Sequence, residues 1–262
     1  MRTEAMLRHE MLRIGRALYE QSLVVAMDGN LSVRLSETEI LCTKSGSHKG
    51  FLTDEDLLVV DMAGNLLRGV GRPTSEMEMH LACYKHRPDI QAVVHAHPPI
   101  SVAFTIAGLS LEPAILPEVV VTLGSIPTLP YCRTGTAELA NQVGAAMVSK
   151  DAVLLDRHGT VCVGTSLMEA FCRVEVVEQT AKILLHARSL GAIQTLEPSE
   201  AVALRALGLK YFGGSPAAVS KIAEPTVDLP SISTDVLPQP SVVLDPVQNR
   251  MRLIEPHGKH GQ

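Results

Sequence analysis

The amino-acid sequence predicts an α/β fold built around a mixed β-sheet. Segments with the apolar period of helices alternate with segments that have the two-residue period of strands, a pattern typical of α/β domains. Several connections between predicted strands are too short to hold a crossover helix, so part of the sheet must be antiparallel. Hydrophobic residues make up 46% of the 262 residues and aromatic residues only 3%, with no Trp, so the core is expected to be aliphatic. This length accommodates one large domain or two small ones.

The first part of the chain is predicted to form one helix followed by three strands. Leu7, Met11, Ile14 and Leu18 recur at the spacing of a helix face that packs against a core. A polar turn at residues 28–30 ends that pattern. The alternation of apolar and polar residues then predicts strands at 31–35, 39–43 and 57–61.

A second helix is predicted to begin within residues 73–78. Ser75 and Glu78 have the spacing of a capping box, which makes Ser75 the expected N-cap. Glu76 would then lie in the first turn, beside N–H groups that have no partner within the helix.

The remaining elements continue the alternation up to about residue 222. A long helix is expected to begin at Ser166, with Glu169 in capping-box register. The other expected elements are a short helix at 99–108, a helix at about 136–149, and strands at about 126–130, 152–156 and 161–164.

The composition changes near the C-terminus. Residues 223–262 hold six of the sixteen prolines and no Phe, Tyr or Trp. A segment of this kind cannot bury much apolar surface. We therefore expect a domain at 1–222 and a Pro-rich, extended tail at 223–262 that lies outside its core.

Composition also argues against several functional classes. A net charge of −5 without a basic cluster does not fit a nucleic-acid-binding protein. No apolar run is long enough to cross a membrane, and charged residues interrupt the N-terminal segment where a signal peptide would be apolar. The five cysteines are widely spaced and form no CxxC pair, which favours reduced thiols in the cytoplasm.

Three histidines and one glutamate suggest a metal site. His95 and His97 follow the apolar run 92–94, and in a strand their side chains would point to the same face. His158 follows a second apolar run, and Glu76 could add a carboxylate. Three or four such ligands suit zinc, while Mn²⁺ or Co²⁺ could replace it. Taken singly, a His-x-His pair or a lone His is more often structural, and the buried strand context is what favours a metal.

Three short polar loops could bind an anion. They are Gly29-Asn30, Ser45-Gly46 and Thr74-Ser75, and each offers hydroxyl, amide or backbone N–H donors. The third is also an expected helix N-terminus, which favours negative charge. Each loop alone is more simply read as an ordinary turn.

Taken together, these motifs resemble the class II aldolase/adducin family, and within it the ketose-1-phosphate aldolases of the fuculose-phosphate type. The resemblance covers about residues 5–190, with its motifs in family order. The matching stretches are 29–34, 45–46, 73–76, 87–89, 93–97, 130–131, 135–136 and 158–159.

The resemblance implies both a fold and a set of site residues. The implied fold is a three-layer α/β/α sandwich with a mixed, largely antiparallel sheet, in a homotetramer whose active sites lie at subunit interfaces. His95, His97 and His158 would bind one zinc ion, and Glu76 would serve as an alternative ligand and as the acid/base. The substrate phosphate would be held by Gly29, Asn30, Ser45, Gly46, Thr74 and Ser75.

The chain departs from the family pattern at several positions. Met27 stands two positions before Gly29, where relatives commonly carry a small or hydroxyl residue, so one donor is lost. Asp28 adds negative charge near the expected anion site, and Lys44 is a candidate to offset it. Glu118 stands where fuculose-phosphate aldolases have a tyrosine, so it is either a second acid/base or an exposed loop residue. Tyr211 is a weaker candidate for a tyrosine that closes the pocket in relatives.

Three functions remain open at this stage. The leading hypothesis is cleavage of a ketose 1-phosphate to dihydroxyacetone phosphate and an aldehyde. The second is a decarboxylase, dehydratase or epimerase that acts on a sugar phosphate through an enolate on the same scaffold. The third is a non-catalytic scaffold like adducin, which retention of all three histidines and Glu76 disfavours.

Overall fold

A computed structural model of the chain describes residues 2–212, 241–245 and 250–254. Seven α-helices lie within these ranges, namely α1 (Glu4–Glu20), α2 (Met77–His86), α3 (Pro99–Ile106), α4 (Pro117–Thr122), α5 (Ala137–Met147), α6 (Leu167–Leu190) and α7 (Pro198–Phe212). Two short 3-10 helices among the described residues span Lys49–Phe51 and Asp54–Asp56. The strands of the same ranges are β1 (Asn30–Arg34), β2 (Glu39–Thr43), β3 (Leu57–Asp61), β4 (Leu66–Arg68), β5 (Ala92–Ala96), β6 (Thr128–Leu129), β7 (Ala152–Leu155), β8 (Gly159–Gly164), β9 (Ser241–Asp245) and β10 (Arg250–Ile254).

Eight of these strands form one mixed sheet in the order β4-β3-β2-β1-β5-β8-β7-β6. Neighbouring strands are antiparallel except β6 and β7, which are parallel. Short connections explain the antiparallel pairs β1–β2, β3–β4 and β7–β8, because only an antiparallel pair can be joined by a tight turn. The largely antiparallel, mixed sheet expected from the sequence is therefore confirmed.

Helices cover both faces of the sheet and make three layers. One face packs against α1, α3 and α6 through an aliphatic core, and the other packs against α2 and α5 through a second core. Alternate strand residues contribute to the two cores, as Leu57 and Val59 do on one side and Leu58 and Val60 on the other. Burial on both faces explains why β3 is continuously apolar. The α/β/α sandwich is confirmed.

The N-terminal helix shows how local pattern produces this packing. Leu7, Met11, Ile14 and Leu18 are all buried along one face of α1. Thr3 is the N-cap, and its side chain accepts a hydrogen bond from the backbone N–H of Met6. The stripe predicted from the sequence is therefore the surface that attaches α1 to the sheet.

The structure corrects the predicted start of α2. Ser75 is exposed and is not the N-cap; Glu76 holds that position and the helix begins at Met77. A turn closed by the Met77 N–H and the Thr74 carbonyl precedes the helix. The Ser75–Glu78 spacing is thus coincidental, because contacts from the sheet fix the Glu76 side chain at the helix start.

Some elements are additional to those predicted. Strand β4 and helices α4 and α7 were not expected, and α4 carries the run Val119–Val121, whose β-branched side chains have low helix propensity. Helix α4 packs against α7, so tertiary contacts stabilise a helix that its own sequence disfavours.

The chain divides into two compact units, residues 1–223 and residues 224–262. In the second unit, β9 and β10 pair antiparallel, with Ser241 opposite Ile254. The extended tail predicted at 223–262 otherwise lies outside the described residues. In the part of the chain that the structure describes, no helix combines the length and apolar character needed to cross a bilayer.

Candidate metal centre and active site

Strand register brings the sequence-predicted residues to one end of the sheet. Asn30, at the start of β1, pairs with His95 near the end of β5, and Thr160, at the start of β8, pairs with Ala96. Strand β2 runs antiparallel to β1, so its last residues and the following loop reach the same end. The Gly29-Asn30 loop, the Ser45-Gly46 loop and the histidines therefore meet at this edge.

The three histidines converge through their Nε2 atoms. His95 Nε2 lies 2.9 Å from His97 Nε2 and 3.2 Å from His158 Nε2. Strand β5 ends at Ala96, so His97 follows the strand directly, and His158 lies in the turn between β7 and β8. The carbonyl of Thr160 accepts a hydrogen bond from His95 Nδ1 at 2.9 Å, which leaves the Nε2 lone pair of a neutral His95 directed at the cluster.

Gly159 permits this convergence. A Cβ at this position would lie 2.3 Å from the carbonyl oxygen of Ala96 and 2.7 Å from a ring carbon of His97. Only glycine lets β8 begin so close to the end of β5. His158 and Gly159 therefore act together: His158 supplies one candidate ligand, and the missing side chain of Gly159 leaves room for the rings of His95 and His97.

The donor set fits a tetrahedral divalent ion. Zn–N bonds of about 2.0–2.1 Å place the nitrogens of two tetrahedral ligands roughly 3.3 Å apart, close to the separations found here. The ligand atoms of the three histidines all lie within 4.8 Å of one another. Glu76 Oε1 is buried without a hydrogen-bond partner and lies 3.4 Å from His158 Nε2. An unpaired carboxylate oxygen beside three imidazoles is the arrangement that a cation would satisfy.

Mutual electrostatics set the ionisation of this cluster. Burial alone would raise the pKa of Glu76, but the charge of His95, its hydrogen bond and the Asn30 amide outweigh burial and hold that pKa below its ordinary value. Burial, together with the charge on His95, lowers the pKa of His97 and of His158 to about 4. Glu76 is therefore an anion at neutral pH, and His97 and His158 are neutral, which is the state in which an imidazole binds a metal. Burial opposes a charge on His95, but the Glu76 carboxylate outweighs burial and raises the pKa of His95, so His95 would lose its Nε2 proton when it binds a metal.

Asp28 interacts with His97 and not with the loops expected to bind phosphate. Its carboxylate lies 3.4 Å from His97 Nδ1, which directs His97 Nε2 into the cluster. Lys44, the candidate partner of Asp28, lies instead 3.6 Å from Asp56. The suggested pairing of Lys44 with Asp28 is therefore wrong, because the Lys44 ammonium forms its ion pair with Asp56.

Two of the predicted phosphate loops lie side by side. The Ser45 N–H donates to the carbonyl of Arg72 at 2.9 Å, and the Thr74 N–H donates to the carbonyl of Thr43 at 3.2 Å. Gly46 and Ser75 are exposed, so their polar groups face solvent at the loop tips. Gly46 has a positive φ of 75°, which turns the chain after β2.

The first loop is arranged differently. Gly29 has φ of 70°, and a Cβ there would lie 2.8 Å from the His95 carbonyl oxygen. The Asn30 side chain is buried and points to Glu76 and His80. The structure thus places Gly29 and Asn30 against the histidines and Glu76.

Lys49 is a buried cation that the sequence did not reveal. Its ammonium donates to the carbonyl of Met27 at 2.8 Å and to the carbonyl of Ser47, so it connects the first two loops. Burial lowers the pKa of Lys49 to about 8, against a weaker opposing effect of Asp28 and Asp56. A lysine in a Gly- and Ser-containing loop looks like a surface residue, so no local signal could have identified it.

Glu118 and Tyr211 lie apart from this cluster. Glu118 is exposed in the first turn of α4, and Tyr211 is exposed near the end of α7 with its ring beside Lys210. Within the described ranges, no side-chain hydrogen bond or ion pair joins either residue to the histidines or Glu76. Their suggested roles remain predictions.

Comparison with known proteins identifies the family. The family model described as the class II aldolase and adducin N-terminal domain matches residues 9–185. The L-fuculose phosphate aldolase of Methanococcus vannielii is 38% identical over 174 residues, which cover 66% of this chain and 93% of that protein. The 3-oxo-tetronate 4-phosphate decarboxylase of Haemophilus influenzae is 37% identical over 178 residues, 66% of this chain and 84% of that protein.

A solved structure shows the same likeness. YgbL from Klebsiella pneumoniae, with aldolase, epimerase and decarboxylase as its candidate activities, superposes with a TM-score of 0.72 at 33% identity. The match covers 78% of this chain and all of that one. With its sheet topology, its histidine cluster and these matches, the chain belongs to the class II aldolase and adducin family.

Proposed function

We propose that this protein is a metal-dependent lyase that cleaves a ketose 1-phosphate to dihydroxyacetone phosphate and an aldehyde. The observation that carries the proposal is the convergence of three histidine Nε2 atoms beside the Glu76 carboxylate, whose Oε1 has no hydrogen-bond partner. Loops with anion donors lie at the same end of the sheet. The aldolase and decarboxylase relatives support a phosphorylated sugar as the substrate class.

The chain's own residues divide the work of an aldol cleavage. A divalent ion, when held by His95, His97 and His158, supplies a Lewis acid for the substrate carbonyl. The phosphate would be bound by the three loops together and would so orient the reacting end of the substrate. The proposed residues are Gly29, Asn30, Ser45, Gly46, Thr74 and Ser75. Lys49 would help by holding two of the loops together.

The proton steps fall to carboxylates. The hydroxyl of the departing aldehyde half loses its proton, the adjacent carbon–carbon bond breaks, and the electron pair remains on the dihydroxyacetone-phosphate half as an enediolate. Protonation of that carbon completes the reaction. Glu76 would deliver this proton from Oε1, the oxygen that is free of protein hydrogen bonds. Glu118 is the proposed second acid/base for the hydroxyl proton, and Tyr211 the proposed group that closes the pocket.

Decarboxylation is the second candidate, because one relative is a 3-oxo-tetronate 4-phosphate decarboxylase. Loss of CO₂ from such a β-keto acid leaves the enediolate of dihydroxyacetone phosphate, the species that aldol cleavage also produces. The same proton delivery by Glu76 would serve both reactions. Dehydration or epimerisation of a sugar phosphate would use the same residues. A non-catalytic, adducin-like role is disfavoured, because it would not require the histidine cluster and Glu76.

The assembly is also inferred from the family. We propose a homotetramer with active sites at subunit interfaces, which would bring exposed residues such as Glu118 and Tyr211 near the site of a neighbouring subunit. Light scattering of the purified protein would test the subunit count, and a monomer with full activity would contradict this inference.

The test of the proposed function is a substrate panel assayed for dihydroxyacetone phosphate with a coupled dehydrogenase. The panel contains several ketose 1-phosphates, their unphosphorylated counterparts and a 3-oxo-tetronate 4-phosphate, each with and without chelator. We expect chelator-sensitive release from at least one ketose 1-phosphate and none from the unphosphorylated sugars. Release from the tetronate alone would favour decarboxylation, and release from no compound would contradict both reactions.

A further inference from the structure

A row of buried polar side chains runs from Glu76 into the layer between α2 and the sheet. Asn30 Nδ2 lies 2.9 Å from Glu76 Oε2, and Asn30 Oδ1 lies 2.5 Å from His80 Nε2. His80 Nδ1 lies 2.6 Å from Ser32 Oγ, which lies 2.9 Å from the hydroxyl of Tyr84. His80 and Ser32 are fully buried, Tyr84 is 2% exposed, and these residues come from β1 and α2 alone.

The carboxylate at one end fixes the direction of every hydrogen bond in the row. Ionised Glu76 can only accept, so the Asn30 amide must donate to it and turn its carbonyl oxygen to His80. That oxygen can only accept, so His80 Nε2 carries the proton. Burial lowers the pKa of His80 to about 3, so the ring is neutral and Nδ1 is bare. Ser32 then donates to Nδ1, and Tyr84 donates to Ser32.

The spacing of residues along α2 places three members of this row on one face of the helix. His80 follows Glu76 by four residues and Tyr84 follows by eight, so all three lie on one face of the helix. Asn30 and Ser32 are two apart in β1 and share the sheet face that meets it. The row therefore couples the helix that carries the acid/base to the strand that pairs with His95.

We propose that His80 is a positioning residue. It holds the Asn30 amide so that the Asn30 N–H faces Glu76 Oε2, and the Glu76 carboxylate is thereby oriented with Oε1 towards His158 and Oε2 towards His95. This role rests on the proposed function of Glu76. Without the His80 N–H, the Asn30 amide is free to rotate, and its carbonyl oxygen would then repel the carboxylate. Glu76 would lose its fixed orientation, while the exposed phosphate loops would be unchanged.

Three substitutions at one position separate positioning from packing. In His80→Gln the side-chain amide nitrogen can replace Nε2–H and donate to Asn30. In His80→Asn the shorter amide reaches only Ser32, and in His80→Leu both hydrogen bonds are lost while an apolar group fills the space. Tyr84→Phe is the control, because it removes the terminal donor of the row and leaves the His80–Asn30–Glu76 bonds intact.

The variants are compared by steady-state kinetics of the metal-loaded enzyme and by crystal structures. We expect kcat to fall about 10–100-fold in His80→Asn and His80→Leu with KM within about threefold of wild type. His80→Gln should recover most of kcat, and Tyr84→Phe should stay within a few-fold of wild type. In the crystal structure of His80→Leu, the Glu76 carboxylate should have turned away from His158.

Two results would overturn the role of His80. One is a folded His80→Leu enzyme with wild-type kcat, and the other is a His80→Gln enzyme as impaired as His80→Asn. If His80→Leu does not fold, the kcat of His80→Gln compared with that of His80→Asn still tests the positioning role. If the wild type turns over no substrate, the proposed function fails. The positioning role is tested separately by the crystal structures, because a Glu76 carboxylate in its wild-type position in His80→Leu or His80→Asn would contradict it.

Discussion

Replacing Gly159 by alanine should damage the histidine cluster more than the fold. The new Cβ would lie 2.3 Å from the Ala96 carbonyl oxygen, 2.7 Å from a ring carbon of His97 and 3.0 Å from a ring carbon of His95. Contacts between non-bonded heavy atoms are most favourable near about 3.5 Å, so the start of β8 and the end of β5 must separate by roughly 1 Å. Metal–ligand distances tolerate only about 0.2 Å. We therefore expect metal affinity to fall by at least about 10–100-fold, as when the support of a ligand is lost.

The stability cost of this change should be moderate, and a matched variant isolates it. Overpacking of a core costs about 1–3 kcal/mol. Gly164, at the other end of β8, is similarly crowded, because a Cβ there would lie 2.7 Å from the Ala170 backbone nitrogen and 3.0 Å from the Ser166 carbonyl oxygen. Gly164 is opposite Ala92, away from the histidines. Gly164→Ala should therefore lower Tm by a similar amount and leave metal affinity near that of wild type.

The assay is zinc content by mass spectrometry after dialysis at a series of buffered free zinc concentrations, with Tm measured on the same samples. The expected result is a zinc-binding curve displaced to higher free zinc in Gly159→Ala alone. Identical binding curves for Gly159→Ala and wild type, or equal displacement in both variants, would refute the reasoning from the geometry of the cluster.

Three further substitutions address the proton carriers and the buried lysine. Glu76→Gln keeps its shape but cannot carry a proton, so kcat should fall on the order of 10²–10⁴-fold while zinc content is unchanged; kcat near wild type would remove Glu76 from the chemistry. Glu118→Gln should slow carbon–carbon cleavage but not the exchange of the carbon-bound proton of dihydroxyacetone phosphate with solvent, and wild-type rates of both would make Glu118 a surface residue only. Lys49→Met should raise KM more than it lowers kcat, because two loops lose their common donor. Burial holds the pKa of Lys49 at about 8, below its ordinary value of 10.5, so the native state releases this proton at a lower pH than the unfolded state does. Wild type should therefore gain stability relative to Lys49→Met as pH rises from about 8 to 10.5, and a Tm difference independent of pH would contradict this.

The sequence predicted best what depends on local pattern. The buried face of α1, strands β1 to β3 and the N-cap Ser166 follow from periodicity and capping residues within a few positions. The shared direction of His95 and His97 follows from strand alternation, although β5 ends between them. The resemblance to the family then predicted that the histidines and Glu76, which are distant in the sequence, belong to one site.

Features that depend on long-range contacts were not predictable in this way. Lys49 is buried only because the Met27 and Ser47 carbonyls face each other across two loops. Asp28 reaches His97 because of the register between β1 and β5, and Glu76 displaces Ser75 as N-cap because it is held by the sheet. In each case the partner lies too far along the chain for spacing to reveal it.

The central claim is that the histidine cluster and Glu76 handle a carbon-bound proton of a three-carbon ketose phosphate. Proton NMR of dihydroxyacetone phosphate in D₂O tests it directly, without knowledge of the aldehyde half of the substrate. Metal-loaded wild type should replace one of the two hydrogens on the hydroxymethyl carbon with deuterium, and the metal-stripped protein and Glu76→Gln should not. No exchange by the loaded enzyme, or equal exchange after the metal is removed, would contradict the account.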